Sequence, residues 1–122
     1  MTKIKIIFEK AEIIASLKST KTAKAILRAL PIESKVERWG DEIYFYIDVK
    51  LKEENAKQDV EIGDIAYWPE GPAFCLFFGK TPVSKNGKPR AYSPVNVFGR
   101  FDKSYVEVLK QIKGGRVRIE TE

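Results

Sequence analysis

One carboxylate stands inside a dense aromatic run: Glu42, with Trp39 before it and Tyr44, Phe45 and Tyr46 after it. In an apolar cleft a carboxylate loses the hydration of its charged form. Its pKa rises, and it becomes suited to general-base work. On an ordinary strand surface it would simply be solvated. The lone cysteine, Cys75, sits among Phe74, Leu76, Phe77 and Phe78, and the chain contains no histidine. Without an imidazole to activate it, Cys75 reads as a small buried hydrophobe rather than a nucleophile. Tyr67 and Trp68 precede the turn Pro69-Glu70-Gly71-Pro72, and both rings carry polar tips suited to a half-exposed position. Asn96 lies between Val95 and Val97, so if buried it needs a partner and fixes either a loop or a ligand. No metal or cofactor is expected, because histidine is absent, cysteine is single and no carboxylates cluster at ligand spacing beyond Glu53-Glu54.

The candidate binding cleft therefore comprises Trp39, Glu42, Tyr44, Tyr67, Trp68, Phe77 and Asn96. This set mixes ring faces with few polar groups, as small-molecule pockets do. No residue is assigned a catalytic role. Glu42, Tyr44 and Tyr46 share one strand face, and Ile43, Phe45 and Ile47 share the other, which is the expected core face. Phe77 and Phe78 are adjacent and must point to opposite sides of a strand. If Phe78 enters the core, Phe77 faces the cleft.

Several elements must position these residues. Ile4, Ile6 and Phe8 alternate with lysines and predict a first strand; Ile13 to Leu17 predict a second. Glu9, Lys10 and Glu12 interrupt the apolar run, so a strand is favoured over a secretory signal. Ala23, Ile26, Leu27 and Leu30 follow at helical spacing after N-cap candidates Thr20 and Thr22, and Pro31 ends that helix. Strands are predicted near 34–39 and 42–49 around the turn at Gly40, then at 64–68 and 73–78. Residues 50–62 and 80–93 read as surface loops. Val95, Val97 and Phe98 begin another strand. Ser104 with Glu107 predicts a capping box for a helix over 104–113, with Gly114 at its end. Val117 and Ile119 supply the last strand. This order predicts a mainly β fold: a closed antiparallel barrel with two capping helices, formed by one domain over residues 1–122.

Composition sets the outer bounds. The 122 residues are 43% hydrophobic and 32% charged, with a net charge of +5. No window approaches the ~18 apolar residues of a membrane helix, and no membrane partner is expected. Basic residues concentrate in 1–30 and 80–122 and acidic ones in 31–79. With no basic-aromatic motif, this reads as a Lys/Glu-rich surface of the kind thermophilic proteins carry, and nucleic acid is not an expected partner. One cysteine excludes an internal disulfide and fits a reducing cytoplasm.

Several motifs occur in an order that resembles the cyclophilin fold. Thr22 to Leu30 is similar to the "TAENFRAL" helix of peptidyl-prolyl isomerases, Phe74 to Phe78 to their "SQFFI" strand, and Val95 to Phe101 to "HVVFGKV". A helix similar to "IVEAME" follows. The chain more closely resembles a small prokaryotic cyclophilin-like family with the signatures "RWGEEIYF", "GDIAYWPPG", "FFGPTP" and "SPVNVIG". Here these read Arg38 to Phe45, Gly63 to Gly71, Phe77 to Pro82 and Ser93 to Gly99. The resemblance implies the fold and a cleft for a peptide or small molecule. It does not imply efficient isomerase activity. The isomerase arginine should fall in the 42–48 strand, which has none, and Val95 replaces the histidine. The isomerase glutamine is also missing. The expected role is a binding module for a peptide or small molecule. The alternative is an enzyme: a weak isomerase using Arg38 or Arg90, or amide chemistry of the kind found on this fold.

Overall fold

The computed structural model describes residues 2–122; Met1, part of the expected 1–122 domain, lies outside the described residues. The N-terminal alternation forms β1 (Lys3–Phe8) and β2 (Glu12–Leu17), each burying every second side chain. Helix α1 (Lys21–Ala29) is capped by Thr20, whose Oγ1 accepts from the Ala23 amide at 3.0 Å. Then come β3 (Ile32–Lys35), β4 (Glu37–Trp39), β5 (Glu42–Tyr46), β6 (Lys57–Asp59), β7 (Asp64–Trp68), β8 (Ala73–Phe77) and β9 (Arg90–Phe101). Helix α2 (Val106–Lys110) and β10 (Arg116–Thr121) end the order.

Every strand pairing is antiparallel. The sheet runs β3-β10-β1-β2-β9-β7-β8-β5-β4, with β6 added on β9. The expected hydrogen-bonded closure is not formed: among the described residues no ladder joins the end strands β3 and β4. The reason is local. Only Val36 separates them, and one residue cannot turn a chain back on itself to make a hairpin. The segment instead changes partner along its length, with β3 on β10 and β4 on β5. The two ends of the sheet are joined by the covalent chain, and Ser34 Oγ donates to the Tyr46 carbonyl at 2.6 Å nearby.

The main core lies on one sheet face and takes Ile43 and Phe45 from β5, Ile65 and Tyr67 from β7, and Phe74 and Leu76 from β8. Ile26 of α1 and Leu109 of α2 enter the same core. The opposite face of these strands is covered too. Ala66, Cys75, Phe77, Ala91 and Val95 form a second, smaller core, against which Tyr44 and Trp68 pack. Burial on both faces explains why β7 and β8 are apolar at nearly every position.

Three local expectations change. The second helix is shorter than 104–113: a 3-10 turn over Lys103–Tyr105 leads into α2. Asp102 caps that 3-10 turn, its side chain accepting from the Ser104 amide at 2.8 Å, so the expected Ser104–Glu107 box does not form, and α2 itself begins after Tyr105 with no side-chain cap. Positive φ falls on Gly115, not Gly114. Residues 90–93 belong to β9, and the 50–62 segment contains β6, because those two strands pair with each other.

Candidate functional site

The second core does not fill the space above it. A cavity of about 160 Å³ remains, lined by Trp39, Glu42, Tyr44, Trp68, Cys75, Ala91, Tyr92 and Val95. Strand parity builds it. Glu42 and Tyr44 leave β5 on the face opposite Ile43 and Phe45, as period 2 requires. Cys75 lies directly across from Tyr44 on β8, and Trp39 directly across from Glu42 on β4. The turn that brings Trp39 back beside Glu42 needs Gly40, whose φ is +60°; a Cβ there would also meet the Lys80 carbonyl oxygen at 2.9 Å.

Four rings stand in series around the cavity. Trp39 meets Tyr92 at 76°, Tyr92 meets Trp68 at 82°, and Trp68 meets Tyr44 at 81°, with centroids 6.1, 6.1 and 6.4 Å apart. Successive walls are thus nearly perpendicular, as in a box. The Trp68 indole is pinned from behind, since Nε1 donates to Ser93 Oγ at 2.6 Å. Tyr92 forms the rim and is 66% exposed.

The polar groups of the lining are few. Glu42 is 6% exposed. Burial raises its pKa to about 8, and a hydrogen bond donated by the Cys75 thiol offsets only part of that. The carboxyl group is therefore mostly protonated at neutral pH. Burial first, and then the Glu42 charge, pushes the Cys75 thiol well above its ordinary value. Cys75 is consequently a poor nucleophile. Burial, followed by the influence of Tyr46, raises the Tyr44 phenol. Among the described residues no lysine or arginine lines the cavity.

Of the seven residues expected at the cleft, Trp39, Glu42, Tyr44 and Trp68 surround this one cavity. The other three lie elsewhere. Tyr67 points into the main core, where its hydroxyl donates to the Val49 carbonyl at 2.6 Å and accepts from the Leu51 amide at 2.9 Å. Phe77 does leave β8 on the cleft side, opposite Phe78, but it is fully covered within the second core. Asn96 is 1% exposed and ties down a loop: it donates to Thr22 Oγ1 and the Lys52 carbonyl and accepts from the Glu54 amide. Cys75, Ala91, Tyr92 and Val95 complete the lining. Cys75 was within reach of parity, because it shares a face with Phe77. Tyr92 carried no such signal inside a segment rich in Pro, Gly, Ser and Lys.

Neither candidate arginine lines the cavity. Arg38 donates to the carbonyls of Gly40 and Ile112 at 2.6 and 2.9 Å, pairs with Asp41 at 3.1 Å, and lies 4.9 Å from the Phe78 ring centre. Arg90 is held by Asp59 and Gln58. Among the described residues no group of His, Cys, Asp and Glu could hold a metal ion. No helix among the described residues is long and apolar enough to cross a membrane.

Comparison with curated proteins finds no match. Among solved structures, the chain is similar to the solution structure of the hypothetical protein AF2241 from Archaeoglobus fulgidus. The two are 46% identical with a TM-score of 0.84, over 99% of this chain and 95% of that one. The family model described as Cyclophilin-like matches residues 2–120. With that match spanning nearly the whole sequence, and with two helices set on a mainly β frame, the chain belongs to the Cyclophilin-like family.

Proposed function

We propose that this protein is a binding module that holds a small molecule, or one side chain of a peptide, in the aromatic-lined cavity, and that it lacks efficient prolyl isomerase activity. The observation that carries this reading is the cavity itself: four rings around about 160 Å³, with Glu42 and Cys75 as the polar groups at its base. A cavity of about 150 Å³ accepts a molecule the size of benzene, so the expected guest is a single ring or a group of similar bulk. The engaged state of Arg38 and Arg90 supports the absence of isomerase chemistry, since each is already bonded to protein acceptors away from the cavity. The lack of a cation in the lining argues against a phosphate-bearing guest. A reducing, cytoplasmic setting and a single domain over the whole chain belong to the same proposal.

The test is a nuclear magnetic resonance titration of the intact protein with a fragment set of neutral, anionic and cationic one-ring or branched compounds and with short proline peptides. Saturable shifts of the Trp39 and Trp68 indole signals are expected for at least one class. A set that leaves both indoles unmoved overturns the proposal.

An enzyme is the second reading, and Glu42 favours it. A carboxyl group with a pKa raised to about 8 can donate a proton at neutral pH and accept one slightly above it. In that case Glu42 is the acid–base group, acting on an amide or a similarly polarised bond.

A further inference from the structure

The cavity places a carboxyl group that is costly to ionise at the base of four aromatic walls, and it supplies no positive charge to balance it. The groups that face Glu42 from the surrounding elements are the Cys75 thiol on β8, the Tyr44 phenol on its own strand and the Tyr92 phenol on β9. Trp39 on β4 and Trp68 on β7 do not titrate. Each of these groups is neutral or becomes negative; none can become positive. A positive charge to balance the ionised carboxylate would have to come from a guest.

The walls favour the same guest. Aromatic faces carry negative potential and attract a cation within about 6 Å of the ring centre, most strongly for tryptophan. Here successive ring centres are 6.1–6.4 Å apart and successive planes meet at 76–82°, so a group seated among them is near several rings at once. The shape of the cation can be narrowed further. A primary ammonium brings three N–H donors, and apart from Glu42 the side chains of the lining offer only a thiol and two phenols as acceptors. A methylated ammonium has a surface of methyl groups, needs few acceptors, and fits walls that are apolar.

We propose that the cavity is an aromatic cage for a methylated ammonium group, with the Glu42 carboxylate as counter-ion. This inference rests on the binding-module reading and names its ligand class. Entry of the cation favours the ionised carboxylate, so Glu42 gives up its proton to solvent as the guest binds. In the empty cavity the proton is retained, because burial raises the Glu42 pKa to about 8. Binding should thus release up to one proton per guest at pH 7. Affinity should climb by up to roughly tenfold per pH unit below pH 8 and level off above it.

The experiment titrates the intact protein with choline and, separately, with choline's neutral carbon isostere, in which the quaternary nitrogen is replaced by carbon. The Trp39 and Trp68 indole signals report binding, and calorimetry in buffers of different ionisation enthalpy counts the released proton. We expect choline to bind at least tenfold more tightly than the isostere at pH 8, with proton release at pH 7. Glu42→Gln should cut choline affinity about tenfold and abolish its pH dependence. Tyr92→Leu, at the exposed rim where folding is not at stake, should cut it about fivefold. A blocked trimethyl-lysine that outbinds choline would assign the cation to a peptide, and the reverse would assign a free amine. If the isostere binds as well as choline, or if Glu42→Gln leaves choline affinity unchanged, the cage inference is overturned while the binding-module reading stands. If neither compound moves the indoles, the cage inference is also overturned, and the wider fragment titration decides the rest.

Discussion

Glu42 on β5 and Cys75 on the neighbouring strand β8 lie diagonally across the ladder, and the thiol acts on the carboxyl group as a donor that favours its ionised form. One diagonal contact thus joins the two most perturbed acids of the molecule. The influence is unequal: the thiol offsets part of the burial cost of ionising Glu42, whereas Glu42 adds to the cost of ionising Cys75. The pair holds its protons at neutral pH because burial outweighs the single bond between them.

Stability should fall as pH rises from about 4.5 to about 8. Glu42 has an ordinary pKa of 4.5 in the unfolded chain and about 8 in the folded one. In that interval the folded state holds a proton that the unfolded state has lost, so the slope is negative, at most about 1.4 kcal/mol per pH unit from this group. Above pH 8 its contribution levels off. Urea denaturation at pH 5, 6.5 and 8 measures it. Glu42→Gln should flatten the profile and be the more stable protein at pH 8.

Cys75 should resist thiol reagents in the native state. It is 1% exposed and its thiol is pushed well above its ordinary pKa by burial and by Glu42. Modification by an aromatic disulfide reagent at pH 8 should proceed at the rate of transient opening and become rapid in denaturant. Fast stoichiometric labelling of the folded protein would contradict the burial described here.

Asn96 and Tyr67 should both prove structural, through the segment after β5. Asn96 satisfies the Lys52 carbonyl and the Glu54 amide, and the Tyr67 hydroxyl satisfies Val49 and Leu51. Asn96→Leu and Tyr67→Phe each strand part-buried backbone groups and should cost about 1–3 kcal/mol. Amide hydrogen exchange should accelerate first in residues 49–55, and the cavity indoles should barely shift.

A protease-coupled proline-peptide assay should show turnover far below that of a cyclophilin. Arg38→Ala should not lower it further. That substitution should instead destabilise the fold by about 1–3 kcal/mol, because it releases the Ile112 carbonyl at the end of α2 and bares the Phe78 ring. Isomerase activity at cyclophilin rates that vanished in Arg38→Ala would reverse this reading.

How far the sequence reached depended on whether local periodicity or distant contact decided the outcome. The two faces of β5 follow from alternation, so Ile43 and Phe45 as core and Glu42 and Tyr44 as cavity wall were legible in advance. Tyr67 and Trp68 are neighbours with similar chemistry, and parity sends only Trp68 to the cavity; which of the two goes there depends on register with β8. Asn96 between two valines needs a partner if buried, but the sequence leaves open whether that partner is a loop or a ligand; its partners come from residues 22, 52 and 54, which no spacing in the sequence links to it. Tyr92 reaches the cavity because β9 begins at Arg90, earlier than composition implies, through pairing with β6. At the N-terminal side of α2, Asp102 takes the amide that the Ser104 box would have organised around itself, and residues 103–105 form a 3-10 turn instead of helix.

The two-sided burial of β7 and β8 has a further consequence, for how such a protein can change over time. Odd and even positions of the same strands answer to separate demands: Phe74 and Leu76 to the main core, Ala73, Cys75 and Phe77 to the second core beside the cavity. Substitutions on one parity should combine almost additively with those on the other where the side chains share no partner. A lineage could therefore drift from one guest to another by replacing Trp68 or Cys75, while Tyr67, Phe74 and Leu76 kept the frame intact. Selectivity and foldability are written on alternate letters of the same strands.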